Sequence, residues 1–219
     1  MTHVVHPYSH RLGIIRDWKS RWFAGRGKYQ KYLKGDLLLR RFLEEKLRGN
    51  YVASIDMERS EKVLRIIIST SRPGMIIGRS GEGSNKLKTD TLAFMKKNNL
   101  EAPEDVKIDI ESIRSPESNA AIVAQMVAES LEKRMPFRRV MKQTIDKVMA
   151  NRDVKGVKLE LSGRLNGADM ARREKLLKGQ VPLQTFRADV EYAHTEARLP
   201  YDWLGVKVWI YKGEVFDQK

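Results

Sequence analysis

Ile76-Ile77-Gly78-Arg79-Ser80-Gly81 is a G-x-x-G turn preceded by an apolar pair. Glycine has no Cβ, so such a turn lets a nucleic-acid backbone approach closely. Helical spacing resumes after it through Leu87, Thr91, Phe94 and Met95, so the turn also opens a helix whose free N–H groups can meet phosphate. Arg79 adds a cation inside the loop, and Gly78, Arg79, Ser80 and Gly81 are the candidate contacts. Taken alone, the pattern reads equally as a tight turn between two helices. No Gly-Lys-Ser/Thr follows, so it is not a nucleotide-triphosphate loop, and the spacing of Gly78, Gly81 and Gly83 is wrong for a dinucleotide fingerprint.

The flanking sequence supplies the context. Upstream, a helix is expected from about Lys28 to Arg48, with Leu33, Leu37, Leu38, Phe42 and Leu47 inward and Gly49-Asn50 as its stop. Tyr51, Ala53, Ile55 and Met57 then alternate with polar positions, and Val63 to Ile68 is a short apolar run; both read as strands. Pro73-Gly74 opens a short helical turn ending at Gly78. Downstream, Val106, Ile108 and Ile110 alternate with charged residues as a half-buried strand. The order helix, strand, strand, helix, glycine loop, helix, strand is that of a type II KH domain, whose loop clamps about four nucleotides.

Ser115-Pro116 marks a boundary. Beyond it, Ala120, Val123, Ala124, Val127 and Leu131 form a helical stripe. Pro136 then starts a second helix, with Phe137, Val140, Met141 and Val148 on one side. Strands are expected at Val157 to Leu161, Phe186 to Tyr192 and Gly205 to Tyr211, with a helix around Ala168 to Leu177. The fold class is therefore α+β. A type II KH domain (a three-stranded sheet with helices on one face) occupies 27–115. A C-terminal α/β domain over 116–219 packs helices on a mostly antiparallel sheet. Residues 1–26 form a basic, aromatic extension.

The chain has 42 Lys+Arg against 28 Asp+Glu, a formal charge of +14, which calls for a polyanionic partner. The excess is +8 over residues 1–50, +1 over 51–116 and +5 over 117–219. The nearly neutral middle must therefore bind through shape and backbone. There is no cysteine, which excludes disulfides and thiolate sites, and no apolar run approaches a membrane span. With no signal-peptide layout at Met1 to His10, a cytoplasmic protein is expected.

Two further stretches carry chemistry. Residues 11–34 mix Arg16, Lys19, Arg21, Arg26 and Lys28 with Trp18, Trp22, Tyr29 and Tyr32. The rings can stack on bases or anchor the segment on its own core. In the second C-terminal helix, Arg138, Arg139 and Lys142 fall within about 100° of circumference at 3.6 residues per turn, opposite the apolar side. Lys133 to Lys158 holds nine cations against Asp146 and Asp153, so the stripe favours phosphate contact. His3, His6 and His10 lack the carboxylates and helical frame of a metal site, as does the solitary His194, and read as flexible or RNA-contacting. No catalytic motif and no cofactor site is found.

Four segments carry a resemblance. Gly163 to Arg172 (GRLNGADMAR) resembles the family motif GRLGGAEIAR, with Asn166 in place of a glycine. Gly179 to Asp189 (GQVPLQTFRAD) resembles GRVPLHTLRAD. Gly205 to Glu214 is similar to the family's closing strand, and His6-Pro7 with Arg11 to Ile14 matches near the start. The family is that of bacterial small-subunit ribosomal protein three, and the match spans essentially the whole chain. It implies a structural, non-enzymatic protein of the small-subunit head. Its expected partners are small-subunit ribosomal RNA, messenger RNA and the neighbouring ribosomal proteins, proteins ten and fourteen. It also implies that Arg138, Arg139 and Lys142 hold incoming messenger RNA and help open its secondary structure, drawing energy from translocation. Arg11, Arg16, Arg21, Lys28, Arg164, Arg172 and Arg187 complete the expected RNA-contacting set. Two other readings remain from the residues alone: a lysine-dependent lyase acting on nucleic acid, and a free KH regulator of single-stranded RNA.

Overall fold

The computed structural model describes residues 5–60, 62–101 and 104–216. The chain divides into two compact units. One is Trp18–Arg114; the other joins the described residues up to Asp17 to Ser115 and beyond. The segment read above as one extension over 1–26 is thus shared between them.

In the first unit the elements run β1 (Ser20–Arg21), α2 (Arg26–Lys46), β2 (Val52–Arg59), β3 (Val63–Thr70), α3 (Pro73–Ile77), a single 3-10 turn (Arg79–Gly81), α4 (Glu82–Lys97) and β4 (Asp105–Ser112). Here α1 is Pro7–His10, which belongs to the other unit. The sheet order is β1-β2-β3-β4. β2 and β3 pair antiparallel, and β3 and β4 pair parallel from Val63↔Asp105 to Thr70↔Ser112. The parallel pair requires a crossover, which α3, the glycine loop and α4 supply. The three long strands are those expected, and the two-residue β1 adds a short parallel edge to β2.

Leu64, Ile66 and Ile68 of β3, with Val106 of β4, bury against Leu39 and Leu43 of α2 and Leu87 and Met95 of α4. The expected face of α2 is corrected here. Of the residues expected inward, Leu47 is buried and Phe42 packs against the core, whereas Leu33 and Leu37 are 51% and 52% exposed and Leu39 and Leu43 are buried instead. The run Leu37-Leu38-Leu39 fits two helical faces. The packed one also buries Asp36, which accepts from Arg59 at 2.9 Å and from the Trp22 indole at 2.7 Å. The opposite sheet face is charged: Arg65 pairs with Asp109 and with Glu58.

The second unit contains α1, α5 (Ala120–Glu132), α6 (Phe137–Met149), β5 (Gly156–Gly163), β6 (Arg172–Gly179), β7 (Ala188–Arg198) and β8 (Trp203–Glu214). All pairs in its sheet, ordered β6-β5-β8-β7, are antiparallel. Asn119 caps α5 by accepting from the Ala121 and Ile122 N–H groups. Val123 and Val127 of α5 and Phe137, Met141 and Ile145 of α6 pack on Val157, Leu159, Val206 and Val208.

The helix expected around Ala168 to Leu177 is absent. Arg172–Gly179 is a strand, registered from Gly156↔Gly179 to Gly163↔Arg172. Ala168, Glu174, Leu176 and Leu177 are good helix formers, but pairing with β5 overrides that local preference. Leu176 joins the core, while Glu174 and Lys178 meet Arg138 and Asp146 of α6.

Candidate nucleic-acid interface

The glycine loop is a tight junction. α3 ends at Gly78 (φ 70°), whose N–H donates to the Gly74 carbonyl at 3.0 Å. Ser80 (φ 50°) and Gly81 (φ 82°) hold left-handed backbone before α4 begins. Gly83 also belongs to the junction, although the G-x-x-G pattern does not include it. A Cβ there would lie 2.4 Å from the Ile76 carbonyl oxygen, so it sets how closely α3 and α4 approach. Its signal in the sequence is a third glycine two residues beyond the turn. Ile76 is buried, whereas Arg79 is exposed with no ionic partner among the described residues. α4 has no side-chain cap, which leaves leading N–H groups for a ligand, while Glu82 places an opposing charge in its first turn.

α6 provides the second surface. Phe137, Val140, Met141, Ile145 and Val148 are buried, and Arg138, Arg139 and Lys142 face solvent. The side chains of Arg139 and Lys142 have no ionic or hydrogen-bond partner among the described residues. Arg138, 72% exposed, shares Oε1 of Glu174 with Arg172, at 3.5 and 3.3 Å. Both guanidinium groups also lie beside the Phe137 ring, at 5.6 and 5.7 Å from its centre. The fold thus brings two of the expected RNA-binding cations, Arg138 and Arg172, together from helix and strand. Nearby, Lys178 pairs with Asp146 of α6 and Lys133 at the end of α5 pairs with Glu129, while Lys147 of α6 is exposed with no ionic partner among the described residues.

The remaining cations of the expected set separate by burial. Arg11 is a correction: it is 0% exposed and cannot reach RNA. Its Nε donates to the Ala188 carbonyl at 2.5 Å, Nη1 to Pro7, and Nη2 to the carbonyls of Pro182, Leu183 and Thr185. Burial lowers its pKa from the ordinary arginine value, with Asp189 opposing. Arg16 is largely engaged by Asp189 at 2.5 Å and Glu191 at 3.5 Å. Arg21 meets Glu58, Arg187 meets Glu214, and Arg164 donates to the Ala168 carbonyl and approaches Asp169. Lys28 is exposed with no ionic partner among the described residues.

The rings also divide. Trp22 packs between Tyr29 and Tyr32, with Arg59 over Tyr32 at 4.4 Å, so these anchor the unit's own core. Phe23 and Trp18 stay exposed. Two of the N-terminal histidines make ring contacts within the protein. His6 meets the Tyr192 ring edge-on and His10 stacks on Phe186, while His3 lies outside the described residues. Among the described residues no group of side chains could hold a metal ion, and no helix is long and apolar enough to cross a membrane.

A KH unit with an exposed glycine loop, joined to an α/β unit carrying an unpaired cationic helix, defines a KH-type RNA-binding protein. The KH domain model matches residues 38–118, and the model for the C-terminal domain of ribosomal protein S3 matches 127–210. The small ribosomal subunit protein uS3 of Caldicellulosiruptor saccharolyticus is 43% identical over 98% of this chain and 94% of its own length. The proteins of the same name from Nitrosococcus oceani and Koribacter versatilis are 44% and 47% identical, over 98% and 96% of this chain and 92% and 91% of theirs. The chain belongs to the uS3 family of small ribosomal subunit proteins, a structural and not an enzymatic family.

Proposed function

We propose that this protein is a structural component of the small ribosomal subunit in the cytoplasm. There it binds small-subunit ribosomal RNA, and α6 faces the channel through which messenger RNA enters. The observation that carries the reading is the outward face of α6, where Arg139 and Lys142 stand exposed beside Arg138 and their side chains have no carboxylate partner among the described residues. Phosphates supply what the protein leaves unsupplied, and each neutralised phosphate releases counterions. In this reading Arg138, Arg139 and Lys142 grip the strand as it is drawn in, and translocation supplies the energy for opening base pairs. Gly78 to Gly81 offer a second backbone contact to ribosomal RNA, supported by the unpaired Arg79. Arg172, Arg187, Arg164, Arg21 and Lys28 reach ribosomal RNA from exposed or half-exposed positions, and proteins ten and fourteen of the subunit are the expected protein neighbours.

The test is sedimentation of tagged protein from a cell lysate at low magnesium, where the subunits separate. The protein should travel with the small subunit at near-stoichiometric yield. Retention at the top of the gradient would refute a ribosomal role.

A further inference from the structure

A cavity of about 300 Å³ opens beside the N-terminal end of α6. Its floor is apolar: Leu131, Phe137, Leu199 and Leu204. Tyr201 lines it while 79% exposed, so it stands at the rim with a free ring face. Arg134 and Arg164 bring two guanidinium groups to the lining, against the carboxylate of Asp202, which already accepts from the Trp203 N–H.

Arg134 is the informative residue. It follows α5 in left-handed backbone, at φ 59°, with its N–H donating to the Leu131 carbonyl at 2.8 Å. Glycine adopts such a conformation without strain, and an arginine there costs stability. The turn closes with the Met135 N–H donating to the Ser130 carbonyl at 3.2 Å, while the Arg134 guanidinium has no partner among the described residues. Asn166, at φ 58°, lines the same cavity. Strained backbone presenting an unpaired cation beside an apolar recess is the pattern of a ligand site.

We propose that this cavity takes the base of one unstacked RNA nucleotide, with Tyr201 stacking on the base and Arg134 on its phosphate. Several features select this occupant. The recess is small and apolar, its rim carries an aromatic face, and the unpaired Arg134 lies in its lining. It also adjoins the α6 stripe, since Phe137 lines the cavity and Arg138 and Arg139 follow directly. Single-stranded RNA is recognised by such splayed, stacked bases. The proposal rests on RNA running along α6.

The experiment measures binding of the full chain to a short oligoadenylate and to an abasic ribose-phosphate strand of equal length. Arg134→Gly suits the left-handed backbone, so its thermal midpoint should equal or exceed that of the parent. Its Kd should rise for both strands. Tyr201→Ala should raise the Kd for oligoadenylate about fivefold or more, as loss of base stacking does, and leave the abasic strand unaffected. If neither variant changes binding of oligoadenylate while Arg139→Ala with Lys142→Ala does, the cavity is not a nucleotide site and the α6 reading survives. If none of these substitutions changes binding, both readings fall.

Discussion

The start of the chain and α6 are both rich in cations, yet Arg11 and Arg16 are used oppositely to Arg139 and Lys142. Arg11 turns inward and gives its guanidinium to five carbonyl oxygens, and Arg16 is held by two carboxylates. Trp22, Tyr32 and Arg59 gather around the buried Asp36 in the same manner. In α6 the apolar side packs the helix on the sheet, Arg138 and Asp146 pair with β6, and the Arg139 and Lys142 side chains have no partner among the described residues. The contrast shows that basic composition by itself does not locate an RNA surface. In the proposed reading, the surface is a set of exposed cations on one helix face whose side chains the fold leaves without acceptors.

This contrast sets a graded series of substitutions. Arg11→Ala removes the donor of five carbonyl groups, two of them in buried bonds, and should cost about 4 kcal/mol in chemical denaturation. A loss within experimental error would break the comparison at its strongest point. Asp36→Ala removes the acceptor of both Arg59 and Trp22 and leaves a buried guanidinium unpaired. It should cost about 3 kcal/mol, read from the shift of the unfolding midpoint. Arg16→Ala breaks a half-exposed pair, and about 1 kcal/mol is expected because solvent screens it. At the far end, replacing Arg138, Arg139 and Lys142 together should move stability by no more than about 0.5 kcal/mol.

The sequence was legible where its signals are local. The element order around Gly78 and Gly81 follows from periodicities of two and 3.6 and from glycine and proline punctuation, and the α6 stripe follows from spacing on a single helix. It was illegible where distant chain decides. The carbonyls of Pro182, Leu183, Thr185 and Ala188 lie 171 to 177 residues from Arg11, and no window of sequence contains both ends. β6 failed for a different reason: its own residues favour a helix, and pairing with the preceding strand β5 outweighs that preference. The face of α2 was lost to three consecutive leucines, which only the Asp36–Arg59 pair resolves. Phe137 was read as core; its second role, between Arg138 and Arg172, depends on that misread strand.

The most direct test of the account is the salt dependence of single-stranded RNA binding by the full chain with Arg138, Arg139 and Lys142 all replaced by alanine. Removing one cation from a phosphate should lower the slope of log affinity against log salt by roughly 0.7. A drop of about 2 is therefore expected for the three side chains together, with the protein still folded. An unchanged slope would mean that these side chains do not touch phosphate, and the division between inward and outward cations would no longer identify the RNA surface.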